Sequence, residues 1–548
     1  MTIEAWEKVA ADKVAAREAL IPAEWRITVP KGLNVIDVPR TCGLLSPAEL
    51  KITETPAVEL IAQMTKGALT SVEVTTAFSK RSAIAHQLTN CLTEIFYTEA
   101  LKAAAEIDAE FTKTGKSAGA LHGLPISLKD NVNVSGLDST TGFISYANKP
   151  ATDAEEADLV HTIKNAGGIL FCKTNVPTGM LMAETYNNVW GYTSNPYNTE
   201  YGCGGSSGGE GSLLAQRGSP LGVGTDIGGS VRMPAASNGI FGLKPAGGRL
   251  SSLGLRAGLP GQEAIKSVSG PMSQDLSALE LYCKTILDAA PWERDPNVFN
   301  IPWREITLPE KLCFGILMDD GIVKPTPAVT RVLLETKAAL EAQGHTVIEW
   351  TPYDAPAGNQ LLMRFLMGDG GFKMRAQVRE GDIPEPWPQA LEPFEQLYAM
   401  FKDKPPTVGG LWDLQIQRVT YLRKLLEGWY ATKDLSGTGR PMDGVISPVT
   451  AFPSCPRHTF KHAGYTALWN LADQTACTFP AGFANKNDVK PDEQEFRNAE
   501  EKDIWEQYDA DRVDGMPVGL QVIVTRHQEE LSLKLAGVAF EALKEYRK

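Results

Sequence analysis

The sequence predicts an α/β fold built on one large sheet, with mostly parallel or mixed strands and helices covering the sheet. Three observations support this prediction. Short apolar runs typical of buried strands recur along the chain, among them GGILFCKTN, DGVISPV and VGLQVIV. Amphipathic helix patterns with capping residues lie elsewhere in the chain. One such helix stands between the apolar runs LCFGIL and HTVIEW, and the order strand, helix, strand describes a βαβ unit.

Helix signals appear from the N-terminus onwards. Charges recur throughout MTIEAWEKVAADKVAAREAL, which favours an amphipathic helix over a secretory signal, and we expect residues 1–50 to form a helical extension packed on the protein. Thr70 and Glu73 have the spacing of a capping box before an amphipathic run. In the βαβ unit, Thr326 is suited to cap the helix, Pro327 to occupy its first position and Gly344 to end it.

Two later regions differ in composition. Residues 353–440 are rich in Trp, Pro, Leu and Met and show little strand pattern, so we predict a helical insertion that lines a pocket. Residues 485–512 are dense in charge, which predicts a solvated surface segment.

Composition limits the classes of function. A net charge of -13 is a poor match to nucleic acid or anionic lipid, and no stretch of about 18 apolar residues predicts a membrane-spanning helix. The eight cysteines are scattered, with no CxxC pair and no zinc-ligand spacing. We therefore expect free thiols in a reducing compartment, a cytoplasmic protein, and neither a nucleic-acid nor a membrane partner.

A lysine ends one of the predicted strands. In LPISLKD, a strand period places Leu124, Ile126 and Leu128 on one face, with Ser127 and Lys129 on the other. Two interpretations remain open from the pattern alone. Lys129 is either a surface residue on a half-buried strand, or a buried residue whose lowered pKa makes it a neutral base.

Glycines concentrate around serines between residues 202 and 248, in YGCGGSSGGEG and GVGTDIGGSVR. Residues 204–208 match the G-x-S-x-G nucleophile elbow, but the polar NPYNTEYGCGG stands where an elbow needs a buried strand. Gly222, Gly224 and Gly228 miss the dinucleotide-binding spacing by one residue, and there is no P-loop, so nucleotide binding is disfavoured.

The second cluster suits a serine nucleophile. An attacked carbonyl needs backbone N–H groups beside it, and these converge only where the chain turns tightly without obstructing side chains. Gly228 and Gly229 stand immediately before Ser230 and meet that need. A tight structural turn is the alternative interpretation.

These motifs together resemble the amidase signature family. The likeness rests on GGSSGGEG, on GVGTDIGGSVRMPAASNGIFGLKPAGGRLS, on the upstream HGLPISLKDN and KTNVPTGM, and on GMPVGLQVI near the C-terminus. It spans residues 51–548 as a single large domain. AWEKVAADK, IPAEW and KITE resemble the fungal acetamidase-type general amidases within the family.

The resemblance implies a Ser–Ser–Lys triad, with Ser230 as nucleophile, Ser206 as bridging serine and Lys129 as base. It also implies a cis bond between Gly205 and Ser206. The remaining implied site residues are the oxyanion donors on the backbone of Ile227, Gly228, Gly229 and Ser230, and a substrate-lining methionine, Met180. We expect Trp190 and residues 361–387 to form further pocket walls.

The implied chemistry is physically reasonable, because a serine hydroxyl has too high a pKa to attack an amide unaided. A relay from serine through serine to lysine would give an acyl-enzyme that water releases, with no metal or organic cofactor. The implied function is hydrolysis of small neutral amides to a carboxylate and ammonia or an amine. Alternatives are carbamate or aryl-acylamide hydrolysis, a glutaminase-type subunit of a transamidation complex, and a non-catalytic binding protein. A homodimer is compatible with the resemblance.

Overall fold

The computed structural model describes residues 4–548, and an eleven-stranded sheet runs through them. The strands are β1 (Leu92–Ile95), β2 (Pro125–Lys129), β3 (Ile169–Thr174), β4 (Tyr186–Asn187), β5 (Gly191–Tyr192), β6 (Ser194–Asn195), β7 (Asn198–Gly202), β8 (Leu221–Asp226), β9 (Phe241–Lys244), β10 (Val268–Ser273), β11 (Cys313–Ile316), β12 (Thr346–Glu349), β13 (Gly444–Pro448), β14 (Thr475–Phe483) and β15 (Pro517–Val524). β4 with β5, and β6 with β7, form two small separate ribbons.

The large sheet is mixed. Its strand order is β1-β3-β2-β8-β10-β9-β14-β15-β13-β11-β12. β2 runs parallel to both β3 and β8, and β11 runs parallel to both β12 and β13, whereas the other six pairings are antiparallel. The predicted α/β class with a mixed sheet is confirmed, and the three quoted apolar runs form β3, β13 and β15.

Helices pack around this sheet. They are α1 (Ala5–Ala19), α2 (Val38–Thr41), α3 (Pro47–Glu54), α4 (Ala57–Met64), α5 (Ser71–Thr89), α6 (Tyr97–Thr114), α7 (Asp158–Asn165), α8 (Gly208–Ala215), α9 (Arg232–Asn238), α10 (Leu276–Asp288), α11 (Pro327–Ala342), α12 (Ala355–Leu366), α13 (Phe372–Arg379), α14 (Glu392–Phe401), α15 (Val408–Ala431), α16 (Gly464–Leu471), α17 (Ala499–Gln507) and α18 (Glu529–Tyr546). Across residues 4–548, no helix has the length and apolar character needed to cross a membrane.

The helix starts follow the capping signals with one exception. Thr70 and Glu73 form the predicted capping box at the start of α5. β11, α11 and β12 form the predicted βαβ unit, with Pro327 in the first turn of the helix. Thr326 occupies the capping position of α11, but its side chain makes no capping hydrogen bond. Thr326 is fully buried there, and its backbone N–H donates to the Ala451 carbonyl at 2.7 Å.

The N-terminal segment packs on one edge of the sheet. Arg17 of α1 is buried and donates to the Leu92 carbonyl of β1 at 2.8 Å. Lys13 forms ion pairs with Glu94 at 2.7 Å and with Asp138 at 2.9 Å. These contacts place α1 against the protein itself.

The two regions of unusual composition are both helical in part. Helices α12 to α15 lie within residues 353–440, and α12 packs against α16. The charged segment 485–512 contains α17, which is docked rather than wholly solvated. Trp505 is buried and donates from its indole nitrogen to the Lys324 carbonyl at 2.9 Å. The hydrophobic side chains of Ile504 and Trp505, which stand among the charges, hold α17 on the protein.

Candidate active site

Lys129 is completely buried at the end of β2. β3 and β8 flank this strand and helices cover its faces, so the surface interpretation is wrong. Its Nζ lies 2.8 Å from the Ser206 Oγ, 2.8 Å from the Thr225 Oγ1 and 3.2 Å from the Thr225 carbonyl. Burial lowers the pKa of Lys129 to about 7, against the opposing pull of the carboxylates of Asp226, Glu210 and Asp130. A neutral amine keeps one lone pair, which can accept the Ser206 proton.

Ser206 lies in the glycine-rich loop between the β6–β7 ribbon and α8. The peptide bond between Gly205 and Ser206 is cis, as the resemblance implied. The next residue, Ser207, donates its backbone N–H to the Ser230 carbonyl at 3.0 Å, which joins the two serine clusters. No strand of the large sheet leads into this loop, so the context of a nucleophile elbow is missing.

Ser230 stands on the turn that follows β8. The Asp226 carboxylate accepts the backbone N–H groups of Gly229 at 2.8 Å and Val231 at 3.1 Å. It also pairs with the Arg232 guanidinium at 3.0 Å, and both side chains are fully buried. Burial alone would raise the pKa of Asp226, but Arg232 holds it well below its usual range. The turn is therefore fixed by an ionised carboxylate.

The backbone at this turn offers hydrogen-bond donors to the cavity. Gly229 gives its N–H to Asp226, so that group is occupied. The N–H groups of Ile227, Gly228 and Ser230 make no hydrogen bond to any residue from 4 to 548, and all three residues line the same cavity. This arrangement suits three of the four predicted donor positions. The fourth N–H, that of Gly229, stabilises the turn through its hydrogen bond to Asp226.

Alanine substitutions at Gly229 and at Gly228 should have different effects on stability and kcat. Gly229 has a φ of 132°, and a Cβ there would meet the Thr466 Oγ1 and lie 2.6 Å from the Met233 Cε. At Gly228, an added Cβ would meet no atom within 4 Å. We expect Gly229→Ala to lower both the melting temperature and kcat, the latter by roughly 10²-fold because the predicted oxyanion donors on the same turn would shift. Gly228→Ala is the matched control.

Thermal unfolding and steady-state kinetics measure both effects. Gly228→Ala should keep the wild-type melting temperature. Equal loss of stability in the two variants would contradict the steric account of this turn.

Two cavities meet at Ser230. A smaller one of about 310 Å³ and a larger one of about 660 Å³ share Met180, Leu181, Ile227 and Ser230 in their walls. Ser230 is only 8% exposed, and its accessible surface therefore faces these cavities. A substrate carbonyl that reaches Ser230 therefore adjoins both cavities.

The structure places the remaining predicted wall residues in different surroundings. Met180 is buried, has a φ of 58° and lines both cavities. Within residues 361–387, Leu362 and Met363 of α12 line the larger cavity, whereas Trp387 packs in a separate apolar cluster. Trp190 packs against the N-terminal helix α1 instead.

Glu210 is a buried carboxyl group near Lys129, and the sequence motifs did not single it out. Ser127 donates to one of its carboxyl oxygens at 2.6 Å, and Thr174 to the other at 3.0 Å. Burial raises the pKa of Glu210 to about 8, while the nearby charge of Lys129 opposes that rise. Its only sequence signal was an acidic residue in the otherwise small and apolar first turn of α8.

The side chains of Ser206 and Ser230 are not hydrogen-bonded to each other in the part of the chain that the structure describes. The structure therefore brings Lys129 and Ser206 into contact and leaves Ser230 beside them at the cavity. Nor do residues 4–548 contain a group of three or more His, Cys, Asp or Glu side chains that could hold a metal ion.

Known proteins share this chain's sequence and architecture. The sequence model of the family described as Amidase matches residues 73–533. The chain belongs to the amidase family. It is 40% identical over 544 residues to an acetamidase of Emericella nidulans, with 97% of each chain covered. An acetamidase of Aspergillus oryzae is 38% identical over 547 residues, with 98% of each chain covered.

The fold agrees with the sequence match. A solved structure of fatty acid amide hydrolase superposes with a TM-score of 0.91 at 30% identity, over 98% of this chain and 95% of that chain. The chain is therefore an amide-hydrolysing enzyme, and the predicted family and fold are confirmed.

Proposed function

We propose that the enzyme hydrolyses small neutral carboxylic amides to a carboxylate and ammonia or an amine through Lys129, Ser206 and Ser230. The observation that carries this proposal is the 2.8 Å contact between the Lys129 Nζ and the Ser206 Oγ, buried beside the cavity that Ser230 lines. The similar protein of Emericella nidulans is named as an acetamidase, and acetamide is a small amide, which supports a small substrate for this enzyme.

The proposed reaction begins with neutral Lys129 accepting the Ser206 proton, while Ser206 accepts that of Ser230. The two hydroxyls must approach each other for this transfer. The Ser230 Oγ then bonds to the carbonyl carbon, and the N–H groups of Ile227, Gly228 and Ser230 stabilise the oxyanion. The relay returns the proton to the leaving nitrogen as the C–N bond breaks. Water then cleaves the acyl-enzyme ester, giving the carboxylate.

The same reaction steps apply to two other classes of substrate. Carbamates and aryl acylamides present the same carbonyl to Ser230, and a cavity of about 660 Å³ has room for them. A glutaminase-type subunit would need a partner protein, and assay of the purified chain alone distinguishes that function.

The cellular compartment and the oligomeric state of the enzyme are also part of the proposal. All eight cysteines lie within the described residues and are unpaired, which supports a reducing compartment such as the cytoplasm. The family resemblance supports a homodimer as the working form.

A substrate series tests this function. We expect the purified chain alone to release ammonia from acetamide and short aliphatic amides, with kcat/KM falling for fatty acyl amides because the chain is similar to acetamidases over nearly its whole length. The series includes benzamide, an anilide and ethyl carbamate. A large preference for fatty acyl amides would contradict the proposed substrate class, and turnover only with an added partner protein would favour the glutaminase-type subunit.

A further inference from the structure

The wall of the larger cavity contains a buried side-chain amide with unused hydrogen-bonding capacity. Asn359 lies on α12, is only 9% exposed and lines the same cavity as Ser230. Among residues 4–548, neither its Oδ1 nor its Nδ2 has a hydrogen-bond partner. Its neighbours along the helix include Leu362 and Met363, which also line the cavity and give it an apolar surface.

Such an arrangement is unusual for a buried asparagine, because leaving a buried donor or acceptor unpaired is destabilising. Asn187, also buried, illustrates the ordinary pattern. Its Nδ2 donates to the Asn175 Oδ1 at 2.9 Å and to the Val176 carbonyl at 2.6 Å, and its Oδ1 accepts the Trp190 N–H at 2.7 Å. The unpaired donor and acceptor of Asn359 therefore point to a ligand in the cavity.

The charged groups in the same wall are already paired. The Glu184 carboxylate accepts the Tyr192 hydroxyl at 2.6 Å and the backbone N–H groups of His458 and Phe460, each at 2.7 Å. His462 pairs with Asp320 at 2.6 Å, and this ion pair helps to raise the pKa of His462 to about 9 although burial opposes it.

We propose that Asn359 binds a second, neutral polar group of the substrate, at the end of the molecule away from the amide that Ser230 attacks. An asparagine amide offers both a donor and an acceptor, and a carboxamide is its closest complement. The charged side chains of this wall, Glu184, Lys461, His462 and Glu500, already have partners, so a carboxylate or an ammonium tail would find no free opposite charge there. The substrate class is thus a short aliphatic amide that carries a second carboxamide. This inference rests on the proposed function.

Chain-matched substrates test the proposal. Succinamide, adipamide and suberamide are compared with butanamide, hexanamide and octanamide, and kcat/KM is corrected for the two equivalent reactive ends of each diamide. We expect the wild type to prefer at least one diamide about tenfold, because a site built to pair with a polar group discriminates against the analogue that lacks it. The chain length at which the preference appears measures the reach from Ser230 to Asn359.

Two variants at this position, and one beside it, assign the preference. Asn359→Leu should remove it by lowering kcat/KM for the diamide while sparing the monoamide, and should keep or raise the melting temperature. Asn359→Ala serves the same purpose if the leucine variant does not fold. Gln360→Leu is the matched control, because Gln360 also lines the cavity but is exposed, so we expect it to keep the preference.

The outcomes separate this inference from the proposed function. Monoamide hydrolysis without any diamide preference in the wild type would overturn the role of Asn359 and leave the proposed function standing. Equal loss of both substrate types in Asn359→Leu and Asn359→Ala would show a structural role and also overturn it. Loss of the preference in Gln360→Leu would assign the recognition elsewhere. Failure to hydrolyse any amide would contradict the proposed function itself.

Discussion

Replacement of Lys129 by arginine should abolish amide hydrolysis as completely as replacement by methionine. Arginine keeps the positive charge but stays protonated at any working pH, so it cannot accept the Ser206 proton. Loss of a general base is expected to lower kcat/KM by about 10²–10⁴-fold. If Lys129 acted only through its charge, arginine would restore much of the activity.

The pH dependence follows from the same residue. The pKa of Lys129 is lowered to about 7 by burial, and the proposed relay needs the neutral amine. Activity should therefore be lost as pH falls through about 7, because Lys129 gains a proton, and should reach a plateau above that pH. Measurement of kcat/KM against pH for the wild type should show this single ascending limb. A wild-type rate that stays constant well below pH 7 would contradict the base role.

A neighbouring lysine provides the control for burial. Lys173 on β3 is also fully buried, and it donates to the Asp138 carbonyl at 2.6 Å and to the Ser139 Oγ at 2.7 Å. Lys173→Met should lower stability, because it leaves the Asp138 carbonyl and the Ser139 hydroxyl without their buried hydrogen-bond donor. In the protein that remains folded, it should leave the shape of the pH profile unchanged. A shifted limb in this variant would mean that the profile does not report Lys129.

Replacement of Ser230 by alanine should lower activity by roughly 10³-fold or more, because it removes the oxygen that we propose attacks the substrate carbonyl. The fold should be retained, since the turn is held by Asp226 and Arg232 rather than by the serine side chain. Circular dichroism and thermal unfolding check the fold, and ammonia release checks the activity.

The adjacent serine of the other cluster is the matched control. Ser207 donates from its Oγ to the Thr225 carbonyl at 3.3 Å and is fully buried. Ser207→Ala should retain most of the activity. If Ser207→Ala and Ser230→Ala lose activity equally, the assignment of the nucleophile cannot stand.

Local patterns in the sequence predicted much of the framework. The capping box of Thr70 and Glu73, the βαβ unit around α11 and the strand that carries Lys129 all depend on residues close together in the chain. The same period placed Ser127 and Lys129 on one face, and both contact the segment that holds Ser206 and Glu210. The direction of each strand depends on distant pairing, which explains why the sequence left a mixed and a mostly parallel sheet both open.

The remaining features of the site depend on contacts that no local pattern contains. The burial of Glu210 results from the packing of α8 against β2, so its unusual pKa has no signature in GGSSGGEG. The engagement of the Gly229 N–H by Asp226 depends on the shape of one turn. Asn359 has an ordinary place in a helical pattern, and only the cavity beside it makes its unpaired amide informative.

Identification of the residue that carries the acyl group tests the proposed mechanism most directly. The wild-type enzyme is incubated with a slowly hydrolysed ester, its intact mass is measured, and the modified peptide is sequenced by fragmentation. We expect one acyl adduct, located on Ser230 and absent from Ser230→Ala. An adduct on Ser206 instead would contradict the proposed relay and would restore the nucleophile-elbow interpretation of residues 204–208.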